Sequence, residues 1–216
     1  ARDYSILKSN MMNRRNFSKS ALMVGMGVAV TPKILGQTGS MAPHKFNLKY
    51  APHLGMFKYS AGDDPIDQLN FMADQGFTAF EDNNMNTRSV GMQEKLAATM
   101  QKRKITMGVF VGYKDFRNPT LARGKADDRR AFLKEIEASV AVAKRVNAKW
   151  MTVVPGTIDL ELVEDYQTAN VIESLKQASA ILEPHGVVMV LEPLNWYQNH
   201  AGLFLKESPQ AYQICR

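Results

Sequence analysis

Apolar and polar residues along the chain alternate between two spacings, and the spacing changes at regular intervals. Apolar residues fall three and four apart over Pro65–Gln75 (Ile66, Leu69, Met72, Ala73), Ser89–Arg103 (Met92, Leu96, Met100), Asp127–Val146 (Phe132, Ile136, Val140, Ala143) and Leu160–Leu182 (Val171, Leu175, Ala178, Leu182). Each of these stretches predicts a helix with one buried face. Between them lie short apolar runs that predict strands: 46–52, GFTAFED (76–82), ITMGVFVG (105–112), KWMTVVPG (149–156) and GVVMVLEP (186–193). A last helix opens at Ser208 as N-cap, with Pro209 in its first position.

Five β-α units therefore follow one another. Strands rich in Val, Met and Phe without strict alternation predict a parallel sheet buried on both faces. Such a series gives an α/β fold, either a doubly wound sheet or a (β/α)8 barrel. No Gly-x-Gly-x-x-Gly or P-loop occupies the first βα turn, which removes support for a nucleotide-type doubly wound fold. A closed barrel needs eight units and about 250 residues, against the 216 present. Together with a start at Ala1 and an end at Arg216 inside the fifth helix, this gives the expectation of a C-terminally truncated barrel. An open five-stranded sheet is the other architecture.

Charge changes the picture only at the N-terminus. The net charge is +6, but residues 1–40 hold Arg2, Lys8, Arg14, Arg15, Lys19 and Lys33 against Asp3, so five of the six positive charges lie there. The remainder is nearly neutral and makes no electrostatic case for nucleic acid. Residues 1–10 precede Met11 and Met12 and are read as an upstream extension. Residues 11–40 are read as a signal peptide and linker: Arg14 and Arg15 stand before Phe17 and Lys19, and a short apolar run follows from Ala21 to Val30. This stretch resembles a bacterial twin-arginine export signal, which implies the export machinery as a partner and a periplasmic or exported protein. The run is too short to span a bilayer, which takes about 20 residues, so no stable membrane span is expected. Residues 41–216 hold the barrel strands.

In both architectures chemistry sits at the C-terminal ends of the strands. The polar residues there are His53, Glu81 with Asp82, Asn83 and Asn84, then Tyr113 and Lys114, then Thr157, and finally Glu192 and Asn195. Glu192 stands out, because five apolar residues run straight into it. A carboxylate at the mouth of a sheet is stabilised by a divalent metal, by an arginine or by several N–H donors, or it faces solvent.

The segment VVMVLEPLNWYQNHAGLFL, with GFTAFED before it, resembles the xylose-isomerase-like TIM barrels, hydroxypyruvate isomerase and its sugar isomerase/epimerase relatives in particular. That resemblance covers about residues 46–216 and implies a (β/α)8 barrel of which about five units are present. It also implies that Glu192 is both a metal ligand and a catalytic carboxylate, with Mg, Mn, Co or Zn as the cation. The implied reaction is isomerisation or epimerisation of a small hydroxy-carbonyl compound or sugar, by carboxylate proton transfer through a metal-stabilised enediolate. The remaining ligands belong to strands six to eight, so the fragment by itself is expected to be inactive. His53, Glu81, Asn195 and Gln198 are the candidate substrate contacts. A homo-oligomer fits the full-length form. Two other functions remain open at this stage: a non-catalytic sugar- or partner-binding barrel, and an endonuclease-type phosphodiesterase.

Overall fold

The helices form where the spacing places them, and their caps set their ends. The computed structural model describes residues 44–216; the extension, the signal and linker, and Arg14 and Arg15 with them, lie outside the described residues. After a single turn, α1 (Lys58–Ala61), comes α2 (Pro65–Asp74). Asp64 caps α2, its carboxylate accepting from the Ile66 N–H at 2.7 Å, and Pro65 fills the first turn, where no N–H is needed. α3 (Val90–Arg103) is capped by the Ser89 hydroxyl. α4 (Thr120–Arg123) is short, and α5 (Ala126–Val146) and α6 (Glu164–Leu182) are the long pair. α6 starts later than the spacing predicts, because the Asp159 carboxylate takes the Glu161 N–H into a local turn. α7 spans Ser208–Cys215 with Glu207, not Ser208, as N-cap.

The strands are β1 (Ala79–Phe80), β2 (Thr106–Met107), β3 (Val109–Lys114), β4 (Trp150–Val154) and β5 (Val188–Leu191). All pairings between them are parallel: β1 with β2, and β3-β4-β5 in that order. β2 and β3 are one strand broken at Gly108, whose N–H donates to the Phe80 carbonyl at 2.7 Å. The strand expected over 46–52 does not form. Only its end joins the sheet, through a parallel bridge between His53 and Glu81 and the Glu81 N–H on the Pro52 carbonyl. Leu48 and Tyr50 are exposed, and Phe46 stacks on Phe77 instead. With one face solvated and proline at its end, this segment gains too little from a ladder to be held in one.

The core lies between the sheet and the helices. Phe132, Ile136, Val140 and Ala143 of α5, with Val171, Leu175, Ala178 and Leu182 of α6, bury against Phe110, Met151 and Val153. The other face of the sheet corrects the expectation of two buried faces: Trp150 is 43% and Val188 53% exposed. The barrel is partial, its sheets are not closed, and β5 is an edge strand among the described residues.

Candidate active site

Alternation along the strands decides which side chains face the open interior. Val109 and Val111 of β3, Trp150, Thr152 and Val154 of β4, and Val190 of β5 line one cleft of about 610 Å³. Paired residues of a parallel sheet share a face, and the register confirms it: Val109 is level with Trp150, and Val111 with Thr152, which in turn pairs Val190. The next inward position after Val190 is Glu192. The apolar run of β5 ends at Leu191, and Glu192 stands exposed at the mouth, lining the cleft.

Glu81 lines the same cleft from the end of β1. Burial raises its proton affinity above that of an ordinary glutamate; His53 opposes this, and the charge of Glu192 adds to it. The two carboxylates thus feel each other across the mouth. His53 is bridged to Glu81 in the sheet, but it does not line this cleft; it is exposed beside Leu54 and Asp82, and its Nδ1–H donates to the Leu54 carbonyl at 2.9 Å. Asp82, the next residue, is buried on the opposite side, paired with Arg88 and accepting the Asn84 N–H at 3.1 Å. That pair fixes the turn after β1 and so the position of Glu81.

Asn195 and Gln198 are exposed and do not line the cleft. The Asn195 carbonyl accepts from the Asn199 and His200 N–H groups and closes a turn. His200 does line the cleft, with its ring 5.6 Å from that of Phe116 and nearly parallel to it. Its position follows from the segment after it. The Phe204 N–H bonds the Gly156 carbonyl, the Ile158 N–H bonds the Gly202 carbonyl, and Leu203, Phe204 and Leu205 are buried. The GLFL motif therefore pins the loop that follows β5 under the loop that follows β4.

Lys114 enters the cleft by an irregularity. Val111 pairs Thr152, yet the next partner, Val153, is level with Tyr113, so Gly112 is an extra residue. This β-bulge reverses the phase of the strand end. Tyr113 turns to the helix layer, where its ring meets Phe132 edge-on at 4.8 Å and its hydroxyl lies 2.9 Å from that of Thr120. Lys114, level with Val154, turns to the cleft. The Gly112 carbonyl is met by Asn86 Nδ2 at 3.2 Å and Ser139 Oγ at 3.0 Å. An alanine Cβ at 112 would stand 2.5 Å from Met151 Sδ.

As metal donors the two glutamates are chemically apt, being oxygen ligands at one mouth. Among the described residues, however, no three His, Cys, Asp or Glu side chains converge closely enough to hold an ion.

A model of the xylose isomerase-like TIM barrel family matches residues 69–216. The chain belongs to this family. Several solved structures align with it over about three quarters of its length. An AP endonuclease of family 2 from Brucella melitensis aligns at a TM-score of 0.62 and 18% identity, over 77% of this chain and 63% of its own. The 3-keto-D-glucoside 4-epimerase YcjR from E. coli aligns at 0.58 and 18%, with the same two coverages. An IOLI protein with a binding zinc atom aligns at 0.58 and 17%, over 76% and 58%. The chain thus spans about three fifths of the length of these structures, and at such identities the likeness is one of fold. No curated protein matches it.

Proposed function

We propose that the protein is a metal-dependent isomerase or epimerase of a small hydroxy-carbonyl compound or sugar, of the hydroxypyruvate isomerase kind. The observation that carries the reading is the facing pair Glu81 and Glu192 at the C-terminal mouth of a parallel sheet, coupled closely enough for one charge to hinder the other. Moving a proton between neighbouring carbons of a hydroxy-carbonyl compound needs a carboxylate beside the substrate. The family and its epimerase neighbour support the reaction class.

In this reading Glu192 takes the proton from the carbon next to the carbonyl, and Glu81 hydrogen-bonds a substrate hydroxyl. Metal dependence is supported by the zinc in the IOLI neighbour, and Glu192 is the residue of this chain that would hold the cation. A bound divalent cation supplies positive charge beside the carbonyl, which makes the neighbouring C–H more acidic.

The test is proton exchange. The full-length protein with added Mg²⁺, Mn²⁺, Co²⁺ or Zn²⁺ is incubated in D₂O with hydroxypyruvate or with a ketohexose. Deuterium should enter the carbon next to the carbonyl, and Glu192→Gln should abolish this while leaving the circular dichroism unchanged. Exchange that survives the substitution refutes the role given to Glu192, and binding without exchange on any substrate indicates a binding barrel. Export through the twin-arginine route belongs to the same proposal. The Arg14/Arg15→Lys/Lys protein should stay in the cytoplasm while the wild type is exported.

A further inference from the structure

The bulge at Gly112 has a consequence for what the cleft binds. Were β3 regular, with Gly112 paired in the ladder, it would present Tyr113 to the interior and send Lys114 into the helix layer. The chain holds the bulge with buried polar groups. Ser139 is fully buried on α5, and its hydroxyl lies within reach of the Gly112 carbonyl, of Asn86 Nδ2 at 3.1 Å and of the Glu135 carbonyl at 2.9 Å. A buried hydroxyl is costly unless bonded, and here its bonds go to the carbonyl that the bulge takes out of the ladder. The result is an ammonium group delivered to a cleft that already holds two carboxylates.

Lys114 does not simply neutralise those carboxylates. It forms no ion pair among the described residues; the four ion pairs present involve Arg88, Arg103, Arg123 and Arg130. The register separates it from Glu192. Tyr113, Val153 and Leu191 are level on three successive strands, so Lys114, Val154 and Glu192 are the next three positions along one rim. Two strand spacings put about 10 Å between the backbones of Lys114 and Glu192. Both side chains line the one cleft, so a small molecule seated there lies between an ammonium group and a carboxylate. His200, stacked on Phe116 and carried by the pinned loop, lines the same space.

We propose that Lys114 and His200 form an anion subsite, and that the substrate is an acidic hydroxy-carbonyl compound bearing a carboxylate or phosphate at the end remote from Glu192. The proposal rests on the reading of the cleft as a substrate site, and it is tested by binding, apart from turnover. Affinities of the full chain for D-glycerate, for glycerol 3-phosphate and for glycerol are measured by calorimetry, for the wild type, Lys114→Met and Lys114→Arg.

The wild type should bind at least one of the two anions about tenfold or more tightly than glycerol, the worth of one charge-assisted contact. Lys114→Met should lose that preference and Lys114→Arg keep most of it. Preference for glycerate assigns the subsite to carboxylates, and preference for glycerol 3-phosphate assigns it to phosphate monoesters. On the wild-type chain alone, the tighter anion should protect Lys114 from acetylation as read by mass spectrometry, a measurement that needs no variant to fold. Equal affinity for glycerol and both anions, or an anion preference unchanged in Lys114→Met, overturns the subsite. Anion binding through Lys114 without proton exchange on any substrate would instead leave the subsite standing and refute the isomerase reading. Exchange on neutral sugars with no anion preference would do the reverse.

Discussion

Val111 and Lys114 stand three positions apart on β3 and face the same cleft. In a regular strand, residues two apart share a face and residues three apart do not. Gly112 makes the difference, and the position is specified on every side: a sulfur against its missing side chain, and an amide and a hydroxyl on its carbonyl.

Gly112→Ala should therefore destabilise the fold by about 1–3 kcal/mol, the usual cost of an added methyl in a packed interior. Urea denaturation checks it. Met151→Ala in the same chain removes the colliding sulfur, so the two substitutions together should cost less than the sum of each alone.

Removing the groups that hold the bulge carbonyl gives a second prediction. Ser139→Ala should cost about 1 kcal/mol and Ser139→Ala with Asn86→Ala about 2 kcal/mol, since the carbonyl is then left buried without a donor. Val109 and Phe110 amides, on the regular part of β3, should keep their hydrogen-exchange protection while that of Lys114 falls.

Glu81 gives a pH dependence with a definite sign. Its proton affinity is raised in the folded chain, by burial first and by Glu192 last, with His53 opposing. A carboxyl of this kind binds its proton more tightly folded than unfolded. Its contribution to stability is complete below the ordinary glutamate range and is lost as pH rises through its own, higher value. A carboxyl-detected NMR titration should find Glu81 above the ordinary range. Glu192→Gln should move it down and His53→Ala should move it up; opposite movements would mean that the three groups are not coupled as described.

The Asp82–Arg88 pair carries a prediction about the turn below the site. Asp82 is only 2% exposed, so Arg88→Met leaves a buried carboxylate without its partner and should cost about 3 kcal/mol. Asp82→Asn with Arg88→Met should recover part of it, as measured by thermal unfolding.

Trp196 gives a prediction of the other sign. Its Nε1 is buried without a hydrogen-bond partner among the described residues. Trp196→Phe removes that unmet donor and should leave stability unchanged or raise it by about 1 kcal/mol.

Much of this could be read from the sequence, because the spacing of apolar residues records which face of a helix meets a sheet. The stripes on α5 and α6 and the end of β5 at Leu191, one residue before Glu192, are local signals of that sort. The strand expected over 46–52 failed because an apolar run does not say whether a neighbouring strand is there to pair with. Lys114 was noted as a strand-end residue but not as a cleft residue. Its facing depends on one extra residue two places earlier, and the only signal was an isolated glycine inside an apolar strand. His200 gives no local signal at all; stacking on Phe116 and the bonds of the segment around Phe204 place it in the cleft, and no local pattern reports contacts between distant loops.

The outer margin of β5 has a practical meaning at the bench. Among the described residues its amides and carbonyls have no partner strand, and they stand next to an exposed Trp150 and Val188; such a row is a template for another strand. Concentrated solutions of this chain should therefore lose protein to assemblies that grow edge to edge. Light scattering should rise more than linearly with concentration, and lysine in place of Val188 should slow that growth.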